Sequence, residues 1–223
     1  MTQQDPSKDG LLPVSKSDKA LDIAAIFASA APWIGGPVST VLSGMSIGRK
    51  FARVKEVLEG LARDLRDFKS AASENYVKTD EFQELLEKTV LKIADERNQS
   101  KREMYRLFLT DVVRSPDNPY DEQIRFLRTL EELQSDHIRI IKAISEQPDD
   151  RDGFSGSPSA TLKERLPDMD ATRIADLVAQ LNDMHITRLT GLNGLMTYRG
   201  AQDLRNTITS YGRRFLKYIL IES

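Results

Sequence analysis

Residues 23–48, IAAIFASAAPWIGGPVSTVLSGMSIG, run for 26 positions without a charged side chain, in a sequence where charged residues are 30% of the whole. A run of this length is enough to cross a bilayer, so the way it folds separates a membrane protein from a globular one. Its interior argues against a continuous span. Pro32, Gly35, Gly36 and Pro37 interrupt the helix near its middle, and the many Ala, Gly and Ser residues lower its hydrophobicity. Two short apolar segments joined by a turn at Trp33 are expected. Three placements fit that pattern: a hairpin tucked against a helical bundle, a membrane-inserting or pore-forming hairpin packed through small residues, or a groove covered by a partner. Under the last two, Ile26, Phe27, Trp33, Ile34 and Val38 are the candidate membrane or partner contacts.

The remainder reads as amphipathic helices. From 49 to 73, Phe51, Val54, Val57, Leu58, Leu61, Leu65 and Phe68 recur in steps of three and four between charged residues. Thr79, followed by Asp80 and Glu81, is an N-cap with acidic residues at the positive end of the next helix. That helix is expected to continue to residue 113, with the polar stretch 94–103 forming a solvated face. Asn118, Pro119 and Asp121 signal another start, and the pattern Ile124, Leu127, Leu130, Leu133, Ile138, Ile141, Ile144 predicts one long helix over 120–146. The segment 148–158 combines turn formers with charges and reads as a linker or long loop. Its acidic residues lack the alternate spacing and closing glutamate of a calcium loop.

At 223 residues there is room for two small domains. The expected division is a flexible tail over 1–20, an apolar hairpin with long helices over 21–120, and a C-terminal domain over 121–223, with the 120–146 helix bridging the last two. The first twenty residues mix Asp5, Lys8, Asp9, Lys16 and Lys19 with Pro6, Gly10 and Pro13, unlike the basic-then-apolar order of a signal peptide. The absence of cysteine excludes disulfides and thiolate chemistry and fits a reducing cytosol, so a cytoplasmic location is expected. A net charge of -2 supplies no global attraction to nucleic acid or anionic membranes.

The last third carries a short helix (ATLKERL), an Asp170 cap before ATRIADLVAQLNDM, a strand-like HITRLTGL, a Gly-containing loop, a second strand at 206–209 and a terminal helix SYGRRFLKYILI. That order is the order of a winged helix. LVAQLNDMHITRL resembles the junction between helix and first wing strand in bacterial winged-helix regulators, and ITSYGRRFLKYI resembles the Thr-x-x-Gly closure of MarR-like domains. The resemblance spans roughly 131–221 and implies a two-stranded β wing, with Thr209 capping the final helix. The whole chain is also similar to uncharacterised bacterial helical proteins that end in such a domain, a likeness that implies a fold and no activity. The fold class expected is therefore mainly α: an N-terminal bundle of long helices followed by a winged helix-turn-helix with a small β wing.

Chemistry is sparse. There is no phosphate-binding glycine loop, Gly-x-Ser-x-Gly, His-Glu-x-x-His or dinucleotide fingerprint. The two histidines, His137 and His185, lie on different elements, and the carboxylate pairs Glu131–Glu132 and Asp149–Asp150 are sequence neighbours whose side chains diverge. The expectation is a non-enzymatic chain with no cofactor and no metal. Its function class is a protein-interaction or regulatory module that docks or dimerises through the winged helix. Two alternatives remain: a DNA-binding regulator, and a membrane-active toxin or defence effector acting through 23–48. The helix expected to read DNA offers Arg173 and Gln180 against Asp170, Asp176 and Asp183, whereas Arg188, Arg199, Arg205, Arg213 and Arg214 make the wing and last helix more basic. These six arginines are the candidate nucleic-acid or partner contacts. A protein partner or a second copy of the chain is expected first, nucleic acid and membrane after it.

Overall fold

The computed structural model describes residue 25 and residues 32–43, 48–148 and 155–219. The expected 1–20 tail, Ile26, Phe27 and positions 149–154 of the linker lie outside the described residues.

Eleven α-helices are found among the described residues: α1 (Pro32–Ser43), α2 (Arg49–Asp64), α3 (Ala71–Tyr76), α4 (Asp80–Asp95), α5 (Gln99–Arg114), α6 (Tyr120–Glu132), α7 (Ser135–Ser145), α8 (Pro158–Arg165), α9 (Ala171–Asp183), α10 (Tyr198–Gln202) and α11 (Ser210–Ile219), with a 3-10 turn at Leu204–Thr207. The expected break at Gly35–Pro37 does not occur, and α1 runs through Pro37. Proline costs the helix one hydrogen bond. Burial of Ile34, Val38 and Leu42, one turn apart on the face turned to α4, offsets it.

Two helices expected to be continuous are each divided. The 79–113 helix breaks at residues 96–98, where Asn98 accepts the Lys101 N–H and starts α5 afresh. The 120–146 helix breaks after Glu132, with Leu133 and Gln134 extended, and the Gln134 side chain and His137 forming a reciprocal cap. Neither break contains Pro or Gly; the apolar spacing continues across the second, from Leu130 through Leu133 to Ile138, while the first falls in the polar stretch 94–103, which a solvated helix face would show equally.

The helices α2, α4 and α5 pack on one another, α1 lies on α4, and α7, α8 and α9 form a neighbouring group. The final helix does not stay with that group. It returns to α5, and its rings close around Phe126 of α6: Tyr211, Phe215 and Tyr218 have centroids 5.3, 5.7 and 4.8 Å from it. Core contacts therefore cross the expected boundary at residue 120, and one apolar cluster runs from Ile34 to Ile219.

The two-stranded wing is not there. No strand occurs among the described residues, and the two expected strands touch through a single isolated antiparallel bridge, Thr187 with Ile208. Asn182 ties the 187–189 segment back to α9: its Oδ1 accepts the Leu189 N–H at 3.0 Å and its Nδ2 donates to the Leu189 carbonyl at 2.9 Å. The ladder stops after two hydrogen bonds, from the Thr209 N–H to the Ile186 carbonyl at 3.0 Å and from the Arg188 N–H to the Thr207 carbonyl at 2.8 Å. Beyond Ile208 in the other direction the chain coils into the 204–207 3-10 turn. Mainly α stands, and the β wing does not.

Thr209 caps the last helix, accepting the Gly212 N–H at 2.8 Å. Here glycine is required by space: a Cβ on Gly212 would lie 2.1 Å from the Ile186 carbonyl oxygen, a backbone atom that cannot step aside. Replacing Gly212 by Ala is expected to destabilise the protein by about 2–3 kcal/mol, the upper range for overpacking at a buried contact, read as a lowered midpoint in urea unfolding at unchanged slope.

Candidate interaction surface

After α9 the chain reverses through His185, whose φ of 60° is the left-handed conformation that closes a helix. Ile186 and Leu189 then dive into the core, and Leu192 packs against it. Gly191, at φ 65°, accepts the Gly194 N–H at 2.8 Å and makes a tight turn. The base of the resulting loop is fastened to the chain at the start of α8 and just before it. Met196 and Gly156 exchange two backbone hydrogen bonds of 3.0 Å, and Ser159 donates to the Leu192 carbonyl at 2.8 Å. Above that base Leu195 is 84% exposed and Met196 39% exposed. A pinned loop thus presents adjacent apolar side chains to solvent.

The six nominated arginines separate into two kinds. Arg173 reaches across to Asp136 of α7 at 3.1 Å, Arg205 pairs with Asp203 at 3.0 Å, and Arg214 pairs with Glu122 of α6 at 2.8 Å. Arg188, Arg199 and Arg213 are exposed and have no carboxylate within ion-pair distance among the described residues. Arg188 precedes the loop and Arg199 follows it. Of the nominated apolar contacts, Ile34 and Val38 are buried inside the bundle and Trp33 is half-buried at its edge. No helix among the described residues is long and apolar enough to cross a membrane.

Sequence reasoning missed a cluster of charge. Glu56, Arg63 and Asp64 of α2 meet Arg102, Glu103 and Arg106 of α5 around a cleft of about 590 Å³. Arg102 binds Glu56 at 3.0 Å, and Arg106 binds both Asp64 and Glu103. Arg106 crosses α2 at Gly60, where a Cβ would sit 2.3 Å from its Cδ. The signal lay in the spacing: Glu56, Gly60 and Asp64, like Arg102 and Arg106, are one turn apart, but nothing in a single sequence matches the two rows. The guanidinium of Arg106 holds Glu103 below the usual carboxylate range, so this carboxyl stays ionised and is a poor proton donor.

His137 is 1% exposed. Its Nδ1 accepts the Gln134 N–H at 3.0 Å and its Nε2 lies 2.8 Å from Gln180 Oε1, so the neutral ring carries its proton on Nε2 and joins the start of α7 to α9. No protein family matches the sequence, and no curated protein or solved structure is similar to it.

Burial lowers the His137 pKa from its ordinary value of 6.5. The unfolded chain then takes up the proton first as pH falls. The contribution to stability is complete above the unfolded value and is lost as pH drops from there through the folded one. Denaturant midpoints measured from pH 7.5 to pH 5 are expected to fall more steeply for the native sequence than for His137→Gln, with parallel curves excluding this origin.

Proposed function

We propose that this chain is a non-catalytic protein-interaction module that docks a partner through the 188–199 loop. The exposure of Leu195, at 84%, carries the reading. A large apolar side chain at a loop apex contributes nothing to the fold, whereas seated in a partner's pocket it contributes about 1.5–3 kcal/mol. The fastened base matters as much, because a loop already ordered loses little entropy on binding. Arg188 and Arg199, one on either side in sequence and with no carboxylate in ion-pair distance among the described residues, complement an apolar pocket with an acidic rim, and arginine is enriched where interfaces concentrate their energy.

Nucleic acid is less favoured by the same geometry. Phosphate binding needs several unneutralised cations in reach of one backbone, and three of the six nominated arginines are already paired with carboxylates.

The test is a photo-crosslinking residue at position 195 of the full chain, irradiated in cells of its source. A discrete protein adduct is expected, and the double change Arg188→Glu, Arg199→Glu is expected to weaken it at least tenfold while leaving thermal stability within about 0.5 kcal/mol, the usual range for surface positions. Absence of any adduct, an adduct indifferent to charge reversal, or crosslinking to nucleic acid instead would each overturn the reading.

A further inference from the structure

The two breaks that divide the expected long helices lie side by side, with Asn98 Nδ2 donating to Ser135 Oγ at 2.6 Å. Between them opens a slot of about 200 Å³. Met104, Leu133 and Ile138 supply its apolar lining, and Lys101, Arg139 and Lys142 its charge, with no carboxylate among the lining residues. Outside the slot, Arg139 meets Asp168 at 2.5 Å, and Lys101 donates to the Glu131 carbonyl at 2.6 Å with Glu96 3.8 Å away. Lys142 is exposed and has no carboxylate within ion-pair distance among the described residues. Burial lowers the Lys101 pKa more than its neighbours raise it, the mark of an ammonium incompletely compensated.

The local backbone has the same sign. Gln99 and Ser100 open the 16-residue α5, Ser135 opens the 11-residue α7, and their N–H groups have no acceptor among the described residues. A helix start carries the equivalent of about half a positive charge, which acts at the Lys101 end of the slot, whereas Lys142 stands at its other end in the last turn of α7.

We propose that this slot binds a short-chain aliphatic carboxylate, with its tail on Met104, Leu133 and Ile138 and its head at Lys142 and Arg139. Charge complementarity sets the head: three cations and no acid line the slot, and a single negative charge matches the one cation without a counter-ion. The apolar floor sets the tail. The volume sets its length, since drug-sized ligands occupy about 300–1,000 Å³ and this slot is smaller. This site shares no residue with the 188–199 loop, so either assignment can fail alone.

Titration of butanoate, hexanoate and octanoate into the full chain tests it, followed by calorimetry and by the Met104 methyl resonance. Saturable one-to-one binding is expected, tightening about fourfold per methylene from butanoate to hexanoate, the factor that corresponds to about 0.8 kcal/mol. Hexylamine and hexanol are expected to bind at least tenfold more weakly than hexanoate. Lys142→Glu, on the exposed rim, is expected to cost tenfold or more in affinity at unchanged melting temperature. Shifts that do not saturate, equal binding of hexylamine, affinity independent of chain length, or an unaffected Lys142→Glu variant would overturn the proposal.

Discussion

Cationic side chains reaching across to the carbonyl ends of neighbouring helices hold this fold together. A chain cut into short helices has many ends, and each leaves up to four carbonyls without a partner in its own helix. Arg53 donates to the Ala94 carbonyl at 2.9 Å, closing the end of α4, and Arg102 to that of Arg97 at 3.0 Å in the connection between α4 and α5. Lys101 closes α6 at Glu131, and Arg114 closes α2 at Asp64 over 2.7 Å. Arg165, inside the second group, donates to Ala143 at 2.6 Å and Gln202 at 3.0 Å, so one side chain ties α7, α8 and α10 together. Hydrogen bonds to a charged group contribute about 1.5–3 kcal/mol each, and the negative end of a helix favours the cation further. Unlike exposed ion pairs, these contacts fix the position of one helix end against another helix.

That use of charge bears on what the protein can bind. The chain holds 32 Lys and Arg against 34 Asp and Glu, and the count says nothing about which cations are already committed. Those that cap carbonyls cannot leave for a phosphate without exposing a buried acceptor. The Arg–carboxylate network in the α2–α5 cleft is committed in the same way, with Arg106 held by two acids and Gly60 leaving the space it crosses. Of the exposed cations with no carboxylate in ion-pair distance among the described residues, Arg188 and Arg199 stand on either side of an apolar loop and Lys142 at the rim of an apolar slot.

The legible part of the fold was whatever depends on nearest neighbours along the chain. The caps Thr79, Asp170 and Thr209 stand where their spacing placed them, and the apolar stripes of α2 and α9 are the buried ones. Helix ends without breakers were not legible, because Gln134 interrupts an apolar rhythm that continues on both sides, and Asn98 lies in a polar stretch that a solvated helix face would also show. The wing failed for a related reason. The segment 186–189 has strand-like composition, but Asn182 of the preceding helix holds the backbone of Leu189 and residues 204–207 coil into a 3-10 turn, so the pairing stops at one bridge. The candidate site was half legible. Arginines could be counted, but whether each was spent depended on partners tens of positions away, as Arg173 on Asp136 and Arg214 on Glu122 show.

The breaks themselves repay attention as electrostatics. Each joins a helix end to a helix start, so a negative and a positive terminus sit close together and would largely cancel. The negative ends are covered in part: Arg53 occupies the Ala94 carbonyl of α4, and Lys101 the Glu131 carbonyl of α6. At the starts of α5 and α7 the caps are Asn98 and the Gln134–His137 pair, and acid stands there too: Glu96 accepts the Asn98 N–H and Asp136 lies in the first turn of α7. Asp136 is engaged by Arg173 at 3.1 Å and Glu96 by Lys101 at 3.8 Å, so the slot floored by Met104, Leu133 and Ile138 is lined by cations with no acid among its lining residues.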